Sequence, residues 1–538
     1  MTAIRDANAG APAVRVIEIT ADLNLGWLEV SAETRALAAN PLRPQAVAPK
    51  LHPVLKATGV SILDIKPRNG GLTIFSANGA TVRHVTFNIK STSNIIIRNL
   101  RFDELWEWDE ETRGNYDAND WDFITLGNGG PVSDVWIDHC TFTKSYDGII
   151  DMKSDVRNVT ISWCRYTGDD GATNPGSFVR RQIEALEASR AENGFYDFLR
   201  TNGFAAGDIA TIVQGQKKGS LLGAREFDPS NAVITATFHH LLMENLWDRA
   251  TPRLRGGNAH CYNLYVDDTR ALAAKRLRDV RAAAMPAAAR DVLNKTYHFS
   301  PPLNGCISTE GGAILLEKSV YIDCLRPLRN NQSGAASAAS KPHYTGRILA
   351  LDTIYQLRKP DGSIATTRGN STDPGSPLGP FQAPVIPFAW NLPGGALPYS
   401  YTTDDPTELS AILTAGAGAG VVEWSKENWL KTTYATAPAD RPPTIIVQPM
   451  AQTAARGGTV IFTVAASGSP VLAYQWCKGG VPLAGKNTST LALENIDTSH
   501  AGNYHVIVSN DLDTIDSNAV ALTVLPTGKT QVIAVSGQ

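Results

Sequence analysis

Between about residues 70 and 325 the apolar positions fall in short β-rich runs, and the runs recur. The run DVWIDHCTF begins at Asp134 and NVTISWCRY at Asn158, 24 residues later. The two align almost position for position: Val135 with Val159, Ile137 with Ile161, Cys140 with Cys164, Phe142 with Tyr166. ATFHHLLME from Ala236 and AHCYNLYVD from Ala259 are 23 apart, and NIIIRNLRF and GAILLEKSVYIDC extend the series in both directions. One strand group every roughly 20–25 residues predicts a solenoid, whose coils bury their inner faces only by stacking on one another. An up-and-down sheet also has short strands, but it does not place equivalent residues one coil apart. The expected fold is all-β, a right-handed parallel β-helix.

Two stretches break this rhythm. Residues 171–204 read as one or two helices, with Ser177 as a cap and Val179, Ile183 and Leu186 at helical spacing. Residues 267–293 are Ala/Arg-rich and helical, with an interruption at Pro286. In a solenoid such insertions fall in the loops between strands. Farther on, the Pro-rich stretch ATAPADRPPTIIVQP marks a boundary, and residues 443–525 alternate apolar and polar with regular turn residues. That last segment resembles an immunoglobulin-like sandwich, with Trp476 as its core tryptophan and Tyr504 as its corner tyrosine. The usual disulfide positions hold Val464 and Val506, so packing alone is expected to secure it. The expected organisation is a catalytic β-helix over 1–437, an immunoglobulin-like domain over 443–526 and a tail over 527–538.

Composition narrows the function. A chain of 538 residues with 43% hydrophobic and 19% charged residues can bury a large core. A net charge of −3 argues against a nucleic-acid or membrane partner, and no run approaches the roughly 18 apolar residues of a membrane span. The start, MTAIRDANAG, has no apolar stretch of the kind a secretory leader carries. Six cysteines without a Cys-x-x-Cys pair do not make a disulfide framework or a zinc site. Cys140 with Cys164 and Cys306 with Cys324 are conceivable pairs, and small buried thiols are the simpler reading.

The candidate chemistry lies in SYDGIIDMK, residues 145–153, where Asp147 and Asp151 flank an apolar centre. Solvated charges at a strand end would explain an isolated pair of this kind. Here Asp122, in ANDWDFITLG, precedes Asp147 by 25 residues, about one coil. Coils stack roughly 4.8 Å apart, so Asp122 and Asp147 become neighbours on the solenoid wall. Asp120 shares a face with Asp122, and Asp147 with Asp151, because strand side chains alternate. Carboxylates crowded in this way repel and call for a cation. An oxygen-only set with no nearby His or Cys cluster favours Ca²⁺ over a transition metal.

With these blocks in view, the run VWIDHCTF…DGIID…VTISWCRY, followed by KKGSLLG, TFHH and PRLRGGNAHCYN, resembles the pectate lyases of polysaccharide lyase family 1 over approximately residues 15–425. The resemblance implies Ca²⁺ held by Asp122, Asp147 and Asp151, with Asp120 assisting. It implies β-elimination on polygalacturonate to 4,5-unsaturated oligogalacturonides. Lys218, Arg253 and Arg255 would bind substrate, and Arg249, with Lys218 and Arg255, would form the catalytic set. A secreted, monomeric enzyme is also implied. The family gives base duty to an arginine, which requires a site that favours neutral guanidine and hence an alkaline optimum.

Two departures from the family pattern stand out. The family has one residue between its catalytic arginine and the following proline, whereas DRATPRLR has two, Ala250 and Thr251. A one-residue bulge would return Arg249 to the site. The helical segment before Lys218 replaces a short turn. His139, His239 and His240 have apolar or aromatic repeat equivalents, with Trp163 matching both His139 and His240, so packed and hydrogen-bonded histidines are expected. Asn263 fits an internal asparagine ladder. The alternatives are a pectin lyase acting on methyl-esterified chains without Ca²⁺, and a non-catalytic glycan-binding β-helix protein. A polygalacturonase is disfavoured, because its N-T-D, G-H-G and R-I-K blocks do not occur.

Overall fold

The computed structural model describes residues 2–11, 14–26, 53–68, 70–108, 120–249, 251–297, 299–331, 344–370, 385–421, 442–467, 472–510 and 512–525. Ala250, the tail 527–538 and residues 435–441 of the Pro-rich boundary lie outside these residues. The chain divides into two compact units. One joins Met1–Ile386 with Thr403–Leu430, and the other joins Pro387–Thr402 with Lys431–Gln538. Residues 387–402, placed within the β-helix by sequence, therefore group with the second unit.

The first unit is a parallel β-helix. Its first sheet has eight strands, from Ser61–Ile65 through Val85–Ile89, Ile124–Leu126, Ile150–Met152, Leu221–Leu222, Arg253–Arg255 and Asn304–Thr309 to Arg326–Arg329. A second and a third parallel sheet complete each coil. Val132–Asp138 pairs with Val156–Ser162 in the second, and Thr141–Phe142 with Arg165–Tyr166 in the third. The repeat register is the one read from sequence: Val135 opposes Val159, Ile137 opposes Ile161, Phe142 opposes Tyr166 and Ala236 opposes Ala259. No single coil could hide these apolar faces, and stacking turns them into one continuous core. Within that core Phe102 and Phe142 stack at 4.9 Å.

A column of left-handed residues turns the second sheet into the third: Asn99, His139, Trp163, His240 and Asn263 all have positive φ. Trp163 stacks on His139 at 5.9 Å and on His240 at 4.4 Å. His139 bonds Asp138, and His240 bonds Asp404 at 2.7 Å. Asn263 donates to the carbonyls of Lys318 and Asp404. His239 is buried against Tyr262, and burial holds its imidazole well below its usual pKa. These histidines serve the corner and its covering segment. All six cysteines are buried free thiols.

Both insertions are helical and both lead from the third sheet to the first. The earlier one forms Phe178–Ala188, Gly194–Thr201 and Ala206–Val213, with Ser177 accepting from the Arg180 N–H as its cap. The later one forms Thr269–Ala284 and Ala287–Lys295, parted at Pro286. Arg281 pairs with Asp208 at 2.8 Å and ties the two insertions together. Among the described residues no helix is long and apolar enough to cross a membrane.

The second unit contains the immunoglobulin-like sandwich. Trp476 is fully buried, and the Tyr504 hydroxyl donates to the His500 carbonyl at 2.7 Å. Val464 and Val506 are buried where a disulfide would otherwise sit.

Candidate active site

The site forms on the outer face of the first sheet and on the turns that enter it. Asp151 lies in the strand Ile150–Met152 opposite Thr125, and Leu221, Arg253, Ile307 and Arg329 follow in register on later coils. Strand alternation puts this whole column on one face while Leu222 and Leu254 point into the core. On this face Asp151 is followed by Arg253 and Arg329, with Leu221 and Ile307 between them.

Asp120, Asp122 and Asp147 come from the turns before two consecutive strands. An oxygen from each lies within 4.8 Å of the other two. Asp122 is wholly buried; it accepts from the Gly148 N–H at 2.7 Å and from Thr125 at 3.2 Å. Asp151 accepts from the Leu221 N–H at 3.0 Å. Gly148 answers the puzzle of an apolar centre between two acids. A Cβ on it would lie 2.4 Å from Asp151 Oδ1 and 2.8 Å from Asp122 Oδ1, so only glycine leaves room for both carboxylates.

Two lysines reach into the acids. Lys153 Nζ lies 3.1 Å from Asp120, 3.3 Å from Asp122 and 3.2 Å from Asp151. Lys218 pairs with Asp147. Four carboxylates thus meet two ammonium groups in direct pairs. Burial, then the nearby Asp151, pushes the Asp122 carboxyl well above its usual pKa. Burial also raises Asp151, against the pull of Lys153. For Asp147 burial is outweighed by Lys218, Lys217 and Arg249, and its pKa falls. For Lys153 burial is likewise outweighed, by Asp122, Asp151 and Asp120, and its pKa rises.

The donor set suits a hard divalent cation. It is all oxygen, its carboxylates outnumber the lysines paired directly with them, and Asp120 opens to solvent with its side chain 55% exposed. Asp120, Asp122 and Asp147 have the closest mutual approach, and Asp151 borders them across Gly148.

Arg249 lies beside the acids, close enough for its charge to act on Asp147 and Asp151. From the Lys218–Asp248 pairing to the Leu221–Arg253 pairing, three residue steps on one coil (218 to 221) face five on the next (248 to 253). The Arg249 N–H donates to Asp248 at 3.0 Å, and its side chain is 12% exposed. Arg253 and Arg255 follow on the same face. Burial, then Arg249 and Arg255, brings the Arg253 pKa down to about 9. Burial followed by Arg249 lowers Arg255 as well, and its guanidinium donates to the carbonyls of Gly223 and Ala224.

Sequence reasoning missed two residues of this site. Lys153 stands two positions after Asp151, and the same alternation that grouped the acids would have placed it with them. Gln216 gave no local signal. Its buried amide donates to Ser145 Oγ, to the Asp147 carbonyl and to the Lys218 carbonyl, and it accepts from the Ser145 N–H. It clips together segments about 70 residues apart, a relationship that exists only in the fold.

A family model described as pectate lyase matches residues 63–178, and an immunoglobulin domain model matches 442–510. Pectate lyase B of Paenibacillus amylolyticus is 48% identical over 316 residues, covering 58% of this chain and 76% of that relative. The chain belongs to the pectate lyases. A solved pectate lyase from Paenibacillus sp. 0602 is 46% identical and superposes with a TM-score of 0.68 over 80% of this chain and 93% of its own. A pectate trisaccharide-lyase of Bacillus licheniformis is 25% identical over 314 residues, covering 57% of this chain and 70% of that relative. The fold of this pectate lyase is therefore a parallel β-helix followed by an immunoglobulin-like domain, and the protein is a polysaccharide lyase.

Proposed function

We propose that this pectate lyase cleaves polygalacturonate by Ca²⁺-dependent β-elimination, releasing 4,5-unsaturated oligogalacturonides. The observation that carries this reading is the junction of two charge sets on one sheet face. A cluster of four acids meets a cluster of three arginines, and an acidic polymer needs both. In a galacturonate unit the carboxylate at C5 acidifies the C5 proton, and its loss expels the C4 glycosidic oxygen. Bound by Asp120, Asp122, Asp147 and Asp151, Ca²⁺ would neutralise that carboxylate and stabilise the enolate charge as it develops.

The chain's own residues do the rest. Lys218, Arg253 and Arg255 hold uronate carboxylates through charge-assisted hydrogen bonds. Arg249 takes the C5 proton. An ordinary guanidinium cannot act as a base, yet this one stands beside Arg253 and Arg255, whose pKa values are lowered by burial and then by neighbouring guanidinium groups. The cluster as a whole then accepts a substrate proton in the alkaline range. Asp248, bonded to the Arg249 N–H and to Asn304, fixes the backbone from which Arg249 projects. Such a polymer is met outside the cell, so the reading implies a secreted enzyme.

The test is turnover of polygalacturonate, followed by the absorbance of the unsaturated product, with and without Ca²⁺. Activity on methyl-esterified chains that ignores Ca²⁺ would replace this reading with the pectin lyase one. Binding without turnover would favour a glycan-binding protein.

A further inference from the structure

The later helical insertion walls a basic cavity. About 410 Å³ of open space lies between Thr269–Ala284, Ala287–Lys295 and the start of the strand Arg326–Arg329. Lys275 and Arg278 line it from the first helix, and Arg326 lines it from the strand. Among the described residues no carboxylate lines it. Asp279, which pairs with Lys275 at 2.9 Å and with Arg278 at 3.2 Å, stands outside the lining. Arg278 is buried, and bonds to the Phe299 carbonyl at 2.6 Å and to Asn294 fix its guanidinium. A guanidinium carries more N–H donors than these bonds use. Arg326 is exposed, and its guanidinium makes no hydrogen bond or ion pair among the described residues.

The lining is not purely cationic. Pro302 and Leu325 belong to it as well, and Leu325 is 38% exposed. A bare inorganic anion has no use for such an apolar wall. A pyranose bearing a carboxylate uses both surfaces, its C–H face on the wall and its charge on the cations. The strand also ties the cavity to the catalytic face. Arg329 follows Arg253 and Ile307 in register, about 10 Å from Arg253 at two coil spacings. Burial, then Arg326, lowers the Arg329 pKa, while Asp248, which accepts from the Arg249 N–H, opposes that shift. The charge on Arg326 is thus felt within the column that leads from the reacting arginines.

We infer that this cavity is a further saccharide subsite, remote from the reacting units, that takes a uronate unit of the same polymer. Lys275, Arg278 and Arg326 receive its carboxylate, and Pro302 and Leu325 receive the C–H face of its ring. This inference rests on the polygalacturonate reading above. The helical insertion supplies two of the three cations, so the subsite belongs to this chain's own elaboration of the coil. A long chain held at Arg253 and continuing past Arg329 reaches it, whereas a short one does not.

Arg326→Ala, made in the full chain, separates binding from structure, because the Arg326 guanidinium holds no other part of the described fold. Its melting temperature is expected to match the parent's. KM for polygalacturonate is expected to rise about 3- to 10-fold, the size of one charge-assisted hydrogen bond, with kcat unchanged. Leu325→Asn, which wets the apolar wall, is expected to raise KM as well. Lys359→Ala removes the same charge from an exposed turn outside the cavity and is expected to keep the parent KM. Trigalacturonate, which ends short of the cavity when it fills the reacting positions, is expected to show a parent KM with Arg326→Ala. An unchanged KM on the polymer overturns the inference. So does an equal rise with Lys359→Ala, which would mean that the polymer senses overall charge, or an equal rise on trigalacturonate, which would put Arg326 at the reacting units. A parent-like Leu325→Asn beside an impaired Arg326→Ala overturns the saccharide occupant and leaves a bare anion site. If the parent enzyme does not cleave polygalacturonate, it is the substrate reading that fails, and the two failures are told apart by that control.

Discussion

The Gly148 N–H donates to Asp122 at 2.7 Å, and the space where Gly148 lacks a side chain is filled by the carboxylates of Asp122 and Asp151. One residue thus orders two acids, through its donor and through its missing Cβ. Gly148→Ala would put a methyl 2.4 Å from Asp151 Oδ1, a distance that forces the acids apart. Ca²⁺ affinity, read by calorimetric titration, is expected to fall about 10–100-fold, as when partners that orient metal ligands are altered. The fold is expected to survive, because the crowding involves side-chain carboxylates on the outer face and leaves the coil hydrogen bonds intact. Parent-like Ca²⁺ binding would show that the acids do not hold the ion.

Chelation is expected to abolish turnover, and added Ca²⁺ to restore it. The four acids crowd one another and pair directly with Lys153 and Lys218, so without a divalent ion the polymer's carboxylates meet like charge there. Asp151→Ala is expected to raise the Ca²⁺ requirement or eliminate turnover, with near-parent thermal melting. Full activity in excess chelator would disprove the metal reading.

The repeat itself carried most of the fold. Val135, Ile137 and Phe142 recur one coil later because the same inner volume must be filled again, and the structure pairs them as the alignment did. The acids were legible for the same reason, since coil period and strand alternation are enough to bring Asp122, Asp147 and Asp151 together. Contacts that depend on neither period were silent. Gln216 reaches Ser145 and Asp147 across a helical insertion, and no spacing rule spans an insertion of arbitrary length. The grouping of residues 387–402 with the second unit escaped for a similar reason, because that irregular segment offers no periodicity to assign it.

The immunoglobulin-like unit has its own core around Trp476, Phe462 and Tyr504, and contributes none of the acids or arginines. A chain of residues 1–437 is expected to fold and to cleave soluble polygalacturonate at the parent rate. A well-expressed, folded but inactive truncation would assign the second unit a part in catalysis.

Arg249 is expected to be indispensable. Losing a proton-transfer group typically costs about 10²–10⁴-fold in rate, and Arg249→Ala should lose that much kcat with little change in melting temperature. Arg249→Lys should not rescue it, because an ammonium lacks the planar fork of a guanidinium. The pH profile gives a second measurement. Proton acceptance needs a neutral guanidine, which alkaline conditions favour, so activity should climb from neutral pH into the alkaline range. An unimpaired Arg249→Ala variant would move base duty to another residue.

Lys144 offers a prediction about stability. It is buried beneath the turn that carries Asp147, donates to the Gly215 carbonyl at 2.6 Å and lies over the Trp106 ring. Burial lowers its pKa from 10.5 to about 7. Between those values the unfolded chain binds more protons than the folded one, so stability rises with pH across that window. Above 10.5 the lysine is neutral in both states and imposes no penalty; as pH falls through about 7 the folded state holds a desolvated charge in full. At about 1.4 kcal/mol per pKa unit, the span is on the order of a few kcal/mol. Lys144→Met removes the titrating group, so denaturant midpoints of the variant should lose this alkaline rise relative to the parent, whatever the absolute stability becomes. An identical pH slope in both proteins would mean that Lys144 keeps its charge in the fold.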